Sequence, residues 1–552
     1  MKDFKKSTIY QIYPKSFNDS NGDGIGDLKG IIEKLDYLKE LGIDCIWITP
    51  FYISPQKDNG YDIADYYNVD PLFGTMEDFE ELACEAEKRN IELMLDMVFN
   101  HTSTEHEWFK SAMNGDKKYK DFYIFKKGRD GKAPTNWISK FGGSAWEYVE
   151  KFDEYYLHLF DKTQGDLNWE NEEVRKEIYN VVNFWIEKGV KGFRLDVINL
   201  ISKPEEYMDD NIGDGKRFYT DGPKIHDFLK KLNKNTFGKH EDIVTVGEMS
   251  STTIDNCIRY SNPDEKELSM VFNFHHLKVD YENGEKWTLM DFDFKALKKL
   301  FNDWQTGMEE GNGWNALFWC NHDQPRIVSR FGDTDKYHKE SAKMLATSIH
   351  MMRGTPYVYQ GEEFGMPNPG YTSINQYRDV ESINYYNILK EEGVKGDKIL
   401  QILRAKSRDN SRTPVQWDSS TNAGFTNGKP WIPIGNSYES INAKMALEDK
   451  DSVFYHYKKL INLRKEYDVI SHGSFNMILE DHNKVYAYTR IYDNQTLVVL
   501  NNFYGEDTEV VLEGWIIDEK AEILISNYKD SSKLNSKIYL RPYESVVYLI
   551  EK

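Results

Sequence analysis

Three acidic residues stand at the tips of short apolar runs. Gly192-Phe193-Arg194-Leu195-Asp196 carries the first, Val244-Thr245-Val246-Gly247-Glu248 the second, and Phe318-Trp319-Cys320-Asn321-His322-Asp323 the third. Each run reads as a buried strand. Burying a carboxylate is costly, so three such ends point to chemical work. Two carboxyl groups flanking a glycosidic bond can cleave it, one attacking and one protonating the leaving oxygen. In the order Asp, Glu, Asp, these residues read as a catalytic centre at the C-terminal rim of a parallel barrel. Arg194 lies two residues before Asp196 and projects to the same strand face. There its cation would keep Asp196 ionised.

A second motif is Asp19-Ser20-Asn21-Gly22-Asp23-Gly24-Ile25-Gly26-Asp27. Oxygen-bearing side chains alternate, a glycine occupies the sixth place, and Ile25 offers a carbonyl at the seventh. This is the first part of a calcium loop. The bidentate Glu that closes such a loop is missing, because Gly30 stands there. The alternative is an Asx-rich turn after the first strand. The expectation is structural Ca²⁺, or Mg²⁺, remote from catalysis, on Asp19, Asn21, Asp23, Ile25 and Asp27. No cofactor is expected in catalysis.

Eight strand-like runs must position these groups: Ile9–Tyr13, Cys45–Thr49, Leu93–Val98, Gly192–Asp196, Ile243–Glu248, Ser269–Phe272, Ala316–Cys320 and Pro356–Gln360. Helical patterns interleave, among them Leu28–Leu41, Met76–Arg89 and Glu173–Lys188. That alternation predicts an α/β fold, a (β/α)8 TIM barrel. The stretch His101–Glu170 has weak periodicity and is too long for a loop, so it reads as an inserted subdomain after strand 3. After about His472 the pattern becomes short alternating strands, a C-terminal antiparallel β domain. The expected division is a barrel over 1–100 and 171–471, an inserted subdomain over 101–170, and a β-sandwich over 472–552.

The chain has 552 residues, enough for several domains and a sizeable core. A net charge of −21 argues against nucleic acid or anionic membrane as partners. Surface charge is screened within about 8 Å at physiological salt, so a local basic pocket can still take an anion. Cys45, Cys84, Cys257 and Cys320 show neither metal-ligand spacing nor a disulfide framework. No apolar leader follows the first residues, and no run reaches the roughly 20 apolar residues of a membrane helix. A cytoplasmic protein is expected. The oligomeric state is not legible, and a monomer satisfies the reading. Neither a P-loop nor a GxSxG elbow is present.

Asp96-Met97-Val98-Phe99-Asn100-His101, Arg194-Leu195-Asp196, Glu248 and Asn321-His322-Asp323 come in order at the ends of the third, fourth, fifth and seventh predicted strands. Together they resemble the four signature regions of the α-amylase superfamily, glycoside hydrolase family 13. The resemblance spans nearly the whole chain. It implies a retaining glycosidase with Asp196 as nucleophile, Glu248 as general acid/base and Asp323 as transition-state stabiliser. It also implies sugar contacts from His101 and His322, and from Tyr61 and Asp62 of the Asn59-Gly60-Tyr61-Asp62 loop. Arg412, in Asn410-Ser411-Arg412-Thr413-Pro414-Val415-Gln416-Trp417, would reach the same subsite. Val197 resembles members that do not prefer α-1,4 links.

Longer stretches, notably Met270–Tyr281 followed by Lys286-Trp287, resemble the branch of that family acting on a phosphorylated trehalose. That resemblance implies a sugar phosphate as substrate. Lys278 and Lys286 follow the sixth strand, on the catalytic face of a barrel, and would bind the phosphate. Lys216, Arg217 and Lys224 are alternative contacts. The rival expectation is an oligo-1,6-glucosidase or sucrose isomerase acting on neutral sugars. A catalytically dead, membrane-anchored relative is disfavoured, because all three acids are present.

Overall fold

Parallel strands of hydrophobic and β-branched residues stay buried only if both faces are covered. The structure, a computed structural model, describes residues 3–518 and 520–551. Its central strands are β1 (Ile9–Ile12), β2 (Cys45–Ile48), β3 (Glu92–Val98), β4 (Gly192–Asp196), β5 (Val244–Glu248), β6 (Met270–Phe272), β7 (Ala316–Leu317) and β8 (Thr355–Tyr359). They lie in the order β6-β5-β4-β3-β2-β1-β8-β7, chain order around a ring. A parallel bridge from Val271 to Asn315, just before β7, joins the two ends. The fold is therefore the predicted (β/α)8 barrel.

Local signals start the surrounding helices. A capping box between Thr75 and Asp78 opens Met76–Glu87, and the Asn171 side chain caps Glu172–Glu187. The helix expected over Leu28–Leu41 is divided at Lys34 into Leu28–Glu33 and Leu35–Leu41. β7 is shorter than expected. The Phe318 carbonyl bonds the His276 ring at 2.8 Å instead of a neighbouring strand, which frees the chain to turn toward Asp323.

Between β3 and β4, an antiparallel pair (His101–Ser103 with Gln164–Asp166) and a small sheet (Phe125–Lys126, Glu154–Leu157, Trp146–Val149) lie over the rim. A second rim layer, which the sequence pattern did not separate from the barrel, follows β8. Its helices Val380–Glu391 and Gly396–Lys406 form a layer whose apolar cluster contains Trp287, Tyr371, Tyr377, Ile399 and Leu403.

The C-terminal strands are β9 (Ser474–Ile478), β10 (Val485–Tyr492), β11 (Gln495–Asn502), β12 (Thr508–Val511), β13 (Glu522–Ser526), β14 (Lys537–Leu540) and β15 (Ser545–Glu551). The first sheet runs β9-β10-β11-β15-β13, and β12 pairs with β14. Val485, Val498 and Val546 of the first share a core with Val510, Ile538 and Leu540 of the second. Among the described residues, no helix is long and apolar enough to cross a membrane.

Candidate active site

Strand register assembles the centre. Arg194 of β4 sits level with Asp96 of β3 and Val246 of β5, and Glu248 ends β5 two residues further on. The buried Arg194 guanidinium donates to Asp96 Oδ1 at 2.7 Å, to Asp196 Oδ1 at 2.6 Å, and to Glu248 Oε2. One cation thus gathers three carboxylates that would otherwise repel one another in a low-dielectric interior. Asp96 also accepts from Trp47 Nε1 at 3.1 Å and Tyr61 Oη at 2.9 Å, which fixes its position. Binding Asp196 and Glu248 through one guanidinium keeps the pair close. A retaining glycosidase needs its two carboxyls about 5 Å apart.

Burial raises the Asp196 carboxyl above the usual range, and Arg194 works against that rise. Burial likewise pushes Glu248 up to about 7; Arg194 opposes, while the charges of Asp196 and Asp323 add to the rise. Burial works to raise Asp323 too, but His322, Arg408 and Arg412 outweigh it and hold this carboxyl well below the usual range. Arg412 reaches Asp323 at 2.6 Å, His322 at 3.2 Å and Arg408 at 3.4 Å. Two of the acids thus sit in environments that favour a proton, and one is a fixed anion.

These groups open into a pocket of about 240 Å³. Asp196, Glu248, Asp323, Tyr61, His101, Lys278 and Lys286 all line it. The Tyr61 ring stacks on His322, with centroids 5.0 Å apart. Burial lowers His101 to about 4, so it is neutral; its Nε2 lies 3.0 Å from the Tyr61 carbonyl.

The structure does not bring Asp62 to the pocket. Its carboxylate is fully buried and accepts from Ser54 Oγ, Asp58 N and Lys57 N, so it closes its own loop. Asp58 of the same loop lines the pocket instead, 3.2 Å from Arg408. Arg412 touches Asp323 but lies behind it, wholly buried, while Arg408 reaches the wall. Asp58 and Arg408 were missed. The available signals were weak: Asp58 is three residues before Tyr61, and Arg408 four before Arg412.

Lys286 is in place but committed, with both Glu381 oxygens at 2.9 and 2.7 Å from its ammonium. Lys224 pairs with Glu170 at 2.8 Å, outside the pocket lining. Lys216 and Arg217 face Asp214 at 3.5 Å and Asp210 at 3.0 Å.

Residues 11–473 match the family described as alpha amylase, catalytic domain. The chain belongs to the α-amylase family. Residues 485–547 match the alpha-amylase SusG C-terminal domain, over the C-terminal antiparallel strands. The trehalose-6-phosphate hydrolase of Bacillus subtilis is 59% identical, over 100% of this chain and 98% of that protein. The oligo-1,6-glucosidase of Parageobacillus thermoglucosidasius is 51% identical over 99% of both. The crystal structure of Bacillus licheniformis trehalose-6-phosphate hydrolase superposes with a TM-score of 0.96, at 60% identity and over 100% of both chains. In this α-amylase-family chain, the register of β3, β4 and β5 brings the carboxylate–guanidinium cluster together, and Trp47 and Tyr61 hold Asp96 in it.

The Asp19–Asp27 loop lies away from this pocket. Asp19, Asn21 and Asp23 each accept a backbone N–H two residues on, as Asx turns do. Both Asp27 oxygens are taken by Ser20 and Gly30, where Asp27 caps the helix Leu28–Glu33. Among the described residues, no group of three or more His, Cys, Asp or Glu side chains converges as a metal site.

Proposed function

We propose that this chain is a retaining α-glucosidase that hydrolyses α,α-trehalose 6-phosphate to glucose and glucose 6-phosphate. The observation that carries the reading is a catalytic pocket whose mouth holds the exposed cation Lys278, in a protein with net charge −21. The full-length similarity to the Bacillus subtilis trehalose-6-phosphate hydrolase supports the same substrate.

The unphosphorylated glucosyl unit binds among Tyr61, Asp58, His101 and Asp323, while His322, wholly buried and outside the pocket lining, backs Tyr61 and Asp323. Arg408 and Arg412 hold the Asp323 anion against the oxocarbenium-like charge of the transition state. Asp196 attacks the anomeric carbon while Glu248 gives its proton to the bridging oxygen, and glucose 6-phosphate leaves. Glu248, now ionised, takes a proton from water. That water displaces Asp196 and releases glucose with the α configuration. Arg194 positions both carboxyls. Asp62 and Lys286 keep structural roles, in the Ser54–Asp62 loop and the second rim layer.

Proton NMR of the reaction tests this reading. α-Glucose as the first anomer, formed together with glucose 6-phosphate, supports it; β-glucose first, or no turnover of the phosphorylated sugar, contradicts it. The neutral-sugar reading is favoured by one observation, the 51% identity to an oligo-1,6-glucosidase. Under it, isomaltose would be the better substrate.

We further propose that the Asp19–Asp27 loop takes Ca²⁺ or Mg²⁺. Its donors Asp19, Asn21, Asp23, Asp27 and the Ile25 carbonyl are all hard oxygens, which suits such a cation. The ion would tie the loop together and take no part in the reaction. A melting temperature that falls with EDTA and returns with Ca²⁺ supports the site; an unchanged one removes it. Four free cysteines suit a reducing compartment, which supports a cytoplasmic location.

A further inference from the structure

Five lysines and arginines were candidates from the sequence, and four of them already face carboxylates: Lys286, Lys216, Arg217 and Lys224. A cation held by a carboxylate has little to offer a second anion. The pocket also contains a lysine that the sequence did not single out, Lys140, half-buried in its wall.

Lys140 lies in the inserted segment, on a turn fixed by its own hydrogen bonds. Ile138 N donates to Asp214 O at 3.0 Å, Lys140 N to Leu159 O at 2.9 Å, and Ser139 Oγ to Phe160 O at 2.7 Å. The next residue, Phe141, packs under the Arg408 guanidinium at 5.0 Å. The Lys140 ammonium therefore has a fixed base. Its hydrogen-bond partner is a neutral hydroxyl, Ser250 Oγ, at 3.1 Å. Ser250 comes two residues after Glu248, the group that protonates the leaving oxygen. Lys140 therefore stands on the leaving-group side.

We infer that Lys140 binds the phosphate of the leaving sugar, with Ser250 and Lys278 beside it. The inference rests on the trehalose 6-phosphate reading and names the phosphate-binding group within it. Around the ammonium stand Lys278, Lys216, Asp214 and Glu248. Burial lowers Lys140 to about 8, and the two neighbouring lysines push in the same direction against the two acids. Burial also lowers Lys278, and Lys216 adds to that. Among the described residues neither half-buried Lys140 nor exposed Lys278 has a carboxylate counter-charge at ion-pair distance, since Asp214 faces Lys216. A phosphate dianion supplies that charge through charge-assisted hydrogen bonds. The fixed turn spares much of the cost of ordering a lysine on binding.

The test is inhibition of p-nitrophenyl α-glucoside hydrolysis by glucose 6-phosphate and by glucose, on the full chain. In the unmodified protein glucose 6-phosphate should inhibit at least tenfold more tightly than glucose. Lys140→Ala should weaken inhibition by glucose 6-phosphate about tenfold to a hundredfold, the worth of one charged hydrogen bond. Lys140→Arg should restore most of it. The advantage over glucose should also fade as pH rises through about 8, where Lys140 loses its proton. If Lys140→Ala leaves the glucose 6-phosphate constant unchanged while Lys278→Ala raises it, the inference is wrong and the substrate reading stands. If glucose 6-phosphate binds no better than glucose to the unmodified protein, both fall together.

Discussion

Arg194 and Asp196 stand two residues apart on β4 and are joined by a 2.6 Å hydrogen bond. The alternation of a β-strand sets both side chains on one face, so Asp196 carries its counter-cation on the same strand. Glu248 arrives from β5 to the other terminal nitrogen of the same guanidinium.

Glu248→Gln separates acid catalysis from attack. Loss of a general acid costs about 10²–10⁴ in rate. The loss should appear in full on trehalose 6-phosphate, whose leaving oxygen needs a proton. It should be much smaller on p-nitrophenyl α-glucoside, whose leaving group departs as the anion. Equal losses on both substrates would remove the acid role from Glu248.

The pH profile follows from the same two groups. In the proposed reaction, attack requires ionised Asp196, and departure requires protonated Glu248. As pH rises through about 7, Glu248 loses its proton and kcat/KM for trehalose 6-phosphate should fall. As pH falls, burial brings Asp196 to its proton earlier than an ordinary carboxyl, near 3.9, would take one, so the acid limb lies above that value. A flat profile from pH 5 to 9 contradicts this assignment.

Asp58 and Asp62 should separate by phenotype. Asp62 accepts three hydrogen bonds within its loop, so Asp62→Ala should lower the melting temperature, at a cost of about 1–3 kcal/mol for the groups left unsatisfied. Asp58→Ala should act on kcat/KM, because it removes a pocket carboxylate that Arg408 holds. The reverse pattern would restore Asp62 to the pocket.

Lys286 and Glu381 form a largely buried pair, so breaking one side exposes the cost of the other. Lys286→Ala should destabilise the protein by about 1–3 kcal/mol, because Glu381 loses both close hydrogen bonds and keeps only the 3.4 Å contact with Arg408. Adding Glu381→Gln should recover much of that loss in a double-mutant cycle followed by thermal melts. Additive losses would show that Lys286 is free to bind an anion.

The barrel and the three acids were legible because strand ends have a pattern: an apolar run, then a charge where none belongs. Arg194 was legible through the same alternation. Asp58 was not, because the Ser54–Asp62 loop has no periodicity to say which of two nearby aspartates faces in; the hydrogen bonds inside the loop decide it. The pairing of Lys286 was hidden because Glu381 lies on a distant rim helix whose pattern is that of any barrel helix. Lys140 was hidden by the weak periodicity of the inserted segment, where tertiary hydrogen bonds fix the turn. The acidic loop shows what composition cannot separate: the same Asx residues that read as metal ligands also close turns and cap a helix.

The most direct measurement is the ratio of kcat/KM for trehalose 6-phosphate to that for unphosphorylated trehalose, set beside isomaltose in the same buffer. A ratio above about a hundred, worth two charge-assisted hydrogen bonds to the phosphate, is the predicted result. A ratio near one, with isomaltose the best of the three, would contradict the phosphate reading and leave a neutral-sugar glucosidase.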